Sequence, residues 1–176
     1  SFPTYFKKVM ETVLLDILKG VDKKIIDEKI LTFKQEMPDQ NFVDIAKNSA
    51  IKEMSKYMFK NQALGEYAKG TPAHNKAAIT YNQLLKHFNT PYKYEPMKDG
   101  DKVKWVYLKK NPLGLDAVAF TGHNDPPQIN QFIQQYIDYD LIWEKELNNK
   151  LDDFYNAMNW DKPNPNLAAA SQFFAF

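Results

Sequence analysis

The chain has 176 residues, 44% of them hydrophobic and 26% charged, with no cysteine. That length and composition fit one folded domain with its own core, and the missing thiols exclude disulfides, thiolate nucleophiles and cysteine-ligated metals. Net charge is +1 and every basic residue is lysine, so no arginine fork exists for bidentate recognition of a phosphate or a guanine edge.

The first segment sets Phe6, Val9, Met10, Val13, Leu14, Ile17 and Leu18 at helical spacing between Pro3 and Gly20, which predicts an amphipathic helix with both ends marked. Phe2, Tyr5 and Phe6 crowd its beginning. A second, more charged helix is expected over about Lys23 to Glu36, ending before Pro38. The stretch NFVDIA at 41–46 is too brief to assign, and IKEMSKYMFK from Ile51 reads as a short helix. In TPAHNKAAITYNQLLKHFN the residues Ala77, Ala78, Tyr81, Leu84, Leu85 and Phe88 line one helical face, with Pro72 suited to the first turn and Asn89 to the stop.

The period then changes to two. Val103, Trp105 and Tyr107 alternate with Lys102, Lys104, Val106 and Leu108, NPLG at 111–114 signals a turn, and DAVAFTG supplies a return strand, so a β-hairpin is expected. From Pro126 the helical period returns through Ile129, Phe132, Ile133, Tyr136 and Ile137, and after DYD through Leu141, Ile142, Leu151, Phe154, Tyr155 and Met158. DKPNPNLAAA has the composition of a linker, and the chain finishes on SQFFAF. The expected fold is α+β and mostly helical: a lobe over residues 1–160 with a small β-hairpin, then a linker and tail over 161–176.

Charge is distributed unevenly along this plan. Residues 1–46 hold 7 lysines and 8 acids, 47–115 hold 13 lysines and 5 acids, and 116–176 hold 3 lysines and 9 acids. The middle segment therefore carries 13 − 5 = +8, the profile of a polyanion-binding stretch, although a lysine-rich run is also compatible with a plain solvated face. Within it, TPAHNK places His74, Asn75 and Lys76 in or beside the first turn of a helix, where backbone N–H groups and the dipole favour an anion; a capping or buried histidine and a solvated lysine fit the same pattern. Catalytic signals are missing. Asp138 and Asp140 read as helix-capping carboxylates, no GxxxxGK or GxSxG motif occurs, and His74, His87 and His123 lie outside metal-ligand spacing. No catalytic and no metal residue is expected, and no apolar run reaches the roughly 20 residues of a membrane helix.

TPAHNKAAITYN, GDKVKWVYLKKNPLG, IDYDLIWEKELNNKLDDF and an aromatic C-terminus together resemble, in order and spacing, the C-terminal thumb domain of family B DNA polymerases of T-even-type bacteriophages. The resemblance runs over essentially the whole chain, most specifically at Pro72, His74, Lys76, Thr80, Tyr81 and Asn82 and at the turn of Asn111, Pro112 and Gly114. It implies a mostly helical lobe that follows the backbone of the primer–template duplex during DNA replication, with His74, Asn75, Lys76, Tyr81, Asn82, Lys102, Lys104, Lys109 and Lys110 as DNA-binding residues. Lys76 stands where relatives have arginine, which turns a forked phosphate contact into a point-charge contact.

The resemblance further implies that this chain is part of a nucleotidyltransferase but inactive alone, because the metal-binding carboxylates of such enzymes, with their Mg ions, belong to the palm. Its implied partners are primer–template DNA, the palm and exonuclease part of the polymerase, and the phage sliding clamp, within the cytoplasm of an infected bacterium. The clamp would take the tail through Phe173, Phe174 and Phe176. The Leu-Phe pair expected just upstream falls on Ala170 and Ser171, a departure from the family pattern. The competing expectation is an independent DNA-binding or protein-interaction accessory factor without a polymerase partner.

Overall fold

The structure, a computed structural model, describes residues 2–90 and 93–163. Among these residues seven α-helices and a three-stranded antiparallel sheet of order β1-β2-β3 share one hydrophobic cluster, so the fold is α+β and mostly helical.

Helix α1 (Thr4–Leu18) buries Tyr5, Phe6, Val9 and Val13 and ends where Gly20, at φ +73°, lets Val21 N–H reach Asp16 O at 2.9 Å. A left-handed residue is needed for that 6→1 closure, and glycine supplies it without strain. Helix α2 (Lys23–Glu36) packs against α1, and Lys29 Nζ pairs with Asp16 Oδ2 at 2.7 Å between them. Residues 41–46, undecided from sequence, form the short helix α3 (Phe42–Ile45), started by the Asn41 side chain accepting from Val43 N–H at 3.1 Å.

Strand β1 (Lys47–Ala50) has no counterpart in the sequence pattern. KNSA is polar, and it becomes a strand through pairing of Lys47 with Trp105 and of Ala50 with Lys102 on β2 (Lys102–Tyr107). The Trp105 indole N–H donates to Ser49 Oγ at 2.9 Å, and the Lys47 ammonium lies 5.6 Å from the Trp105 ring centre. The hairpin partner β3 (Ala117–Phe120) is buried along its whole length, and helix α4 (Ala73–His87) packs on it. Alanines at 77, 78, 117 and 119 keep both surfaces small and let helix and strand approach closely. Asn89, at φ +53°, closes α4 by letting Thr90 N–H bond to Leu85 O at 2.8 Å.

The expected short helix from Ile51 shrinks to a 3-10 turn, Met54–Tyr57. Glu53 just before it sits at φ +55°, and Met54 N–H is held by Asp99 Oδ1 at 2.9 Å, so both backbone geometry and a competing acceptor break a regular helix there. Helix α5 (Pro127–Tyr136) is followed by α6 (Tyr139–Trp143), a π turn (Glu144–Asn148) and α7 (Asn149–Ala157). Asp138 caps α6 by accepting from Leu141 N–H at 3.0 Å, the role its D-x-D setting suggested. The π turn faces the sheet edge: Glu146 pairs with Lys47 at 3.3 Å and the Lys145 ammonium lies 5.7 Å from the Tyr107 ring centre. Among the described residues no helix is long and apolar enough to cross a membrane.

The aromatic residues that crowd the start of α1 pack against the rest of the domain. Tyr5 is 5% exposed and donates to Phe33 O, Phe6 meets Trp143 edge-on at 6.1 Å, and Phe2 is covered by the Lys150 ammonium at 3.7 Å. Tyr5 and Phe6 are core, and Phe2 packs partly buried against it. The exposed apolar side chains of this region are Leu14, Leu15 and Leu18 at the other end of α1, with Ile25 on α2.

Burial, helped by Glu36 and Asp39, pushes the Tyr5 phenol up to about 12, and burial pushes Tyr81 and Tyr155 in the same direction. Folded values above the unfolded value of about 10 mean that the stability these neutral phenols contribute is complete below about pH 10 and is lost as pH rises through 10 toward the folded value. Tyr5→Phe is therefore expected to flatten the fall in melting temperature between about pH 9.5 and 11. A fall as steep as in the unsubstituted chain would contradict this.

Candidate nucleic-acid interface

The thirteen lysines of residues 47–115 divide into two groups. Three are half-buried, and each has an intramolecular partner: Lys47 with Glu146 at 3.3 Å, Lys76 with Asp116 at 3.2 Å, and Lys104 with Asn48 Oδ1 at 2.9 Å. The other ten, Lys52, Lys56, Lys60, Lys69, Lys86, Lys93, Lys98, Lys102, Lys109 and Lys110, are exposed, and none is in an ion pair among the described residues. By contrast Lys23, Lys29 and Lys162, outside this segment, pair with Asp27, Asp16 and Asp152. The +8 of the middle segment is thus presented to solvent with little internal neutralisation.

At the start of α4 the three residues of the predicted anion site take different directions. His74 is half-buried, and its imidazole is held below the usual histidine value first by burial and then by the charge of Lys47. That shift favours the neutral imidazole, which offers a hydrogen bond and not a charge. Asn75 is 1% exposed; its Nδ2 donates to Lys52 O at 3.2 Å, while its Oδ1 has no partner among the described residues. The Lys76 ammonium sits between Asp116 and the Tyr67 ring, 5.3 Å from the ring centre. Asp116 is 63% exposed, so this pair is screened and readily exchanged for another anion.

Of the next two motif residues, one is buried and one half-buried. Tyr81 is 1% exposed. Asn82 clamps both backbone groups of Met97 in the loop before β2, its Oδ1 accepting from Met97 N–H at 2.7 Å and its Nδ2 donating to Met97 O at 2.9 Å. That pair of bonds fixes where the chain re-enters the sheet. His74 and Lys76 thus stay half-exposed at one helix end, Asn75 and Tyr81 turn inward, and Asn82 is tied to the Met97 backbone.

Among the hairpin lysines, Lys102 opens β2, Lys104 is drawn toward Asn48, and Lys109 and Lys110 project from the turn that follows. Asn111 organises that turn with four bonds: its Nδ2 donates to Lys109 O at 2.8 Å and Leu115 O at 2.7 Å, and its Oδ1 accepts from Leu113 and Leu115 N–H, both at 3.1 Å. The turn lies against the 51–70 loop so closely that a Cβ on Gly65, at φ +80°, would come within 2.9 Å of Leu113 O. Four lysines of that loop, Lys52, Lys56, Lys60 and Lys69, are exposed as well. Their positive charge was legible in the sequence, but the loop's contact with the turn was not, since it depends on a glycine and a backbone carbonyl 48 positions apart.

Among the described residues no group of three or more His, Asp or Glu side chains is arranged to hold a metal ion. Phe173, Phe174 and Phe176, the expected clamp anchors, lie outside the described residues. Compared with models of known protein families the chain matches none, and compared with curated proteins it also matches none.

Proposed function

We propose that this chain binds the sugar-phosphate backbone of duplex DNA as the thumb part of a family B DNA polymerase, completing an enzyme whose metal-binding carboxylates and Mg lie in a palm outside these residues. The observation that carries the reading is the set of ten exposed lysines in one segment, none of them in an ion pair among the described residues. Lysine without arginine suits backbone tracking, since an ammonium neutralises phosphates as a point charge and reads no base edge. Lys102 and Lys109 stand seven residues apart along an extended segment, about 23 Å, long enough for its ends to meet phosphates several base steps apart. The exposed Leu14, Leu15, Leu18 and Ile25 offer the rest of the polymerase an apolar docking face on the side of the chain that bears no net positive charge.

Lys76 separates backbone binding from a structural pair. Lys76→Ala is expected to weaken binding to duplexes of unrelated sequence equally and to reduce the salt slope by about one unit. Asp116→Asn, which releases the Lys76 ammonium from its 3.2 Å partner, is expected to strengthen binding by a few-fold. Weakening by both substitutions would mean that the pair matters as structure.

The tail reading rests on the sequence alone. A short peptide with two or three aromatic anchors binds a preformed apolar pocket with modest affinity, and a linker turns that into long residence through high effective concentration. A labelled peptide of residues 164–176 is expected to bind the phage sliding clamp and to lose roughly tenfold when Phe173, Phe174 and Phe176 become alanine; equal binding by the substituted peptide would remove the clamp from the account.

A further inference from the structure

The loop between β1 and α4 displays two large hydrophobic side chains to solvent, Met58 at 52% and Phe59 at 44% exposure. The loop that carries them is tied down on both sides. Met54 N–H is held by Asp99 at 2.9 Å, Phe59 N–H by Gln62 Oε1 at 3.4 Å, Gln62 Nε2 donates to Glu66 O at 2.8 Å, and Gln83 on α4 donates to Ala63 O at 3.2 Å. Phe59 is therefore exposed by a fixed backbone.

Its surroundings narrow the choice of partner. Lys56 and Lys60 flank the pair in sequence, both exposed and both outside any ion pair among the described residues. Met58, Phe59 and Lys86 line one shallow hollow against α4. Exposed apolar side chains with Lys86 in the same hollow, Lys60 next in sequence and the Lys56 ammonium 5.7 Å from the neighbouring Tyr57 ring centre complement a polymer that alternates flat apolar rings with regularly spaced negative charges. Single-stranded DNA has that chemistry, because its bases are unstacked and each nucleotide brings one phosphate. A duplex hides its base faces and would leave Phe59 uncovered.

We propose that Phe59, with Met58 beside it, is a stacking platform for bases of single-stranded DNA whose phosphates are held by Lys56, Lys60 and Lys86. This deepens the DNA-binding reading above and rests on it, adding a contact to an unpaired strand next to the duplex-tracking lysines.

The test is fluorescence anisotropy with the full chain, a labelled oligothymidylate of about 12 nucleotides, comparable to the site size of a single-strand-binding module, and a labelled blunt duplex. Phe59→Ala is expected to weaken oligothymidylate binding roughly tenfold, within the range of losses seen for one stacked base, while duplex binding stays within about twofold. Phe59→Trp is expected to restore binding, with its added fluorescence quenched by the oligonucleotide. Changing Lys56 and Lys60 together to glutamine is expected to flatten the single-strand salt slope by about 1.4. The inference is overturned if the oligothymidylate does not bind while the duplex does, which leaves the thumb reading intact, or if Phe59→Ala binds it as well as the unsubstituted chain. It is also overturned if Phe59→Ala loses both ligands equally and Phe59→Trp restores neither. Binding of neither ligand by the unsubstituted chain overturns the thumb reading itself.

Discussion

Changing Lys102, Lys109 and Lys110 together to glutamine is expected to lower affinity for a primer–template duplex by roughly 10²–10³-fold near 0.1 M salt and to flatten the salt slope by about 2.7. The estimate follows from counterion release. Each phosphate neutralised contributes about 0.9 to the slope of log affinity against log salt, and so about a factor of 8 in affinity at 0.1 M. These three lysines suit the test because they are exposed and unpaired among the described residues, so their removal leaves no orphaned carboxylate and no cavity. The melting temperature should move little, since surface substitutions of this kind usually fall within about 0.5 kcal/mol. Lys104→Gln is the internal control, because its ammonium bonds to Asn48 at 2.9 Å, and it is expected to cost DNA affinity much less. Isotherms and melting curves on the same preparations check both halves. Unchanged affinity in the triple variant would remove the hairpin from the DNA face.

Asn82→Ala is expected to lower the melting temperature by about 5–15 °C. The substitution strips both bonds from the backbone of Met97, 2.7 and 2.9 Å long, in a residue that is 5% exposed. Each buried backbone group left without a partner costs about 1–3 kcal/mol, and for a chain of this size 1 kcal/mol moves the midpoint by about 2–4 °C. Asn82→Asp keeps the acceptor for Met97 N–H but sets a carboxylate oxygen against Met97 O, so a loss at least as large is expected. A melting temperature unchanged in Asn82→Ala, together with weakened DNA binding, would return Asn82 to the DNA-contacting set.

The divided fate of the TPAHNKAAITYN stretch shows what sequence can and cannot separate. Its helix, its apolar face and its stop at Asn89 are local properties, and they were legible from spacing and from a residue tolerant of the left-handed conformation. Which of its polar residues face inward depends on partners far along the chain: Met97 for Asn82, Lys52 for Asn75, Asp116 for Lys76. The same limit explains β1, whose KNSA is a strand only because Trp105 and Val103 lie opposite, and it explains Phe2 and Tyr5, whose role is decided by Lys150 and Phe33. The hairpin was readable because alternation and the Asn111 turn lie within one continuous segment. Charge, being a property of composition, was read in full, but only the fold distinguishes the three spent lysines from the ten exposed ones.

Equilibrium binding of the purified full chain to two primer–template duplexes of unrelated sequence, followed from about 50 to 300 mM salt, tests the central claim most directly. Backbone tracking by several lysines predicts equal affinities for the two sequences and a log–log slope steeper than about −3, at roughly 0.9 per phosphate contact. Binding that ignores salt, that prefers one sequence strongly, or that does not occur at all would contradict it.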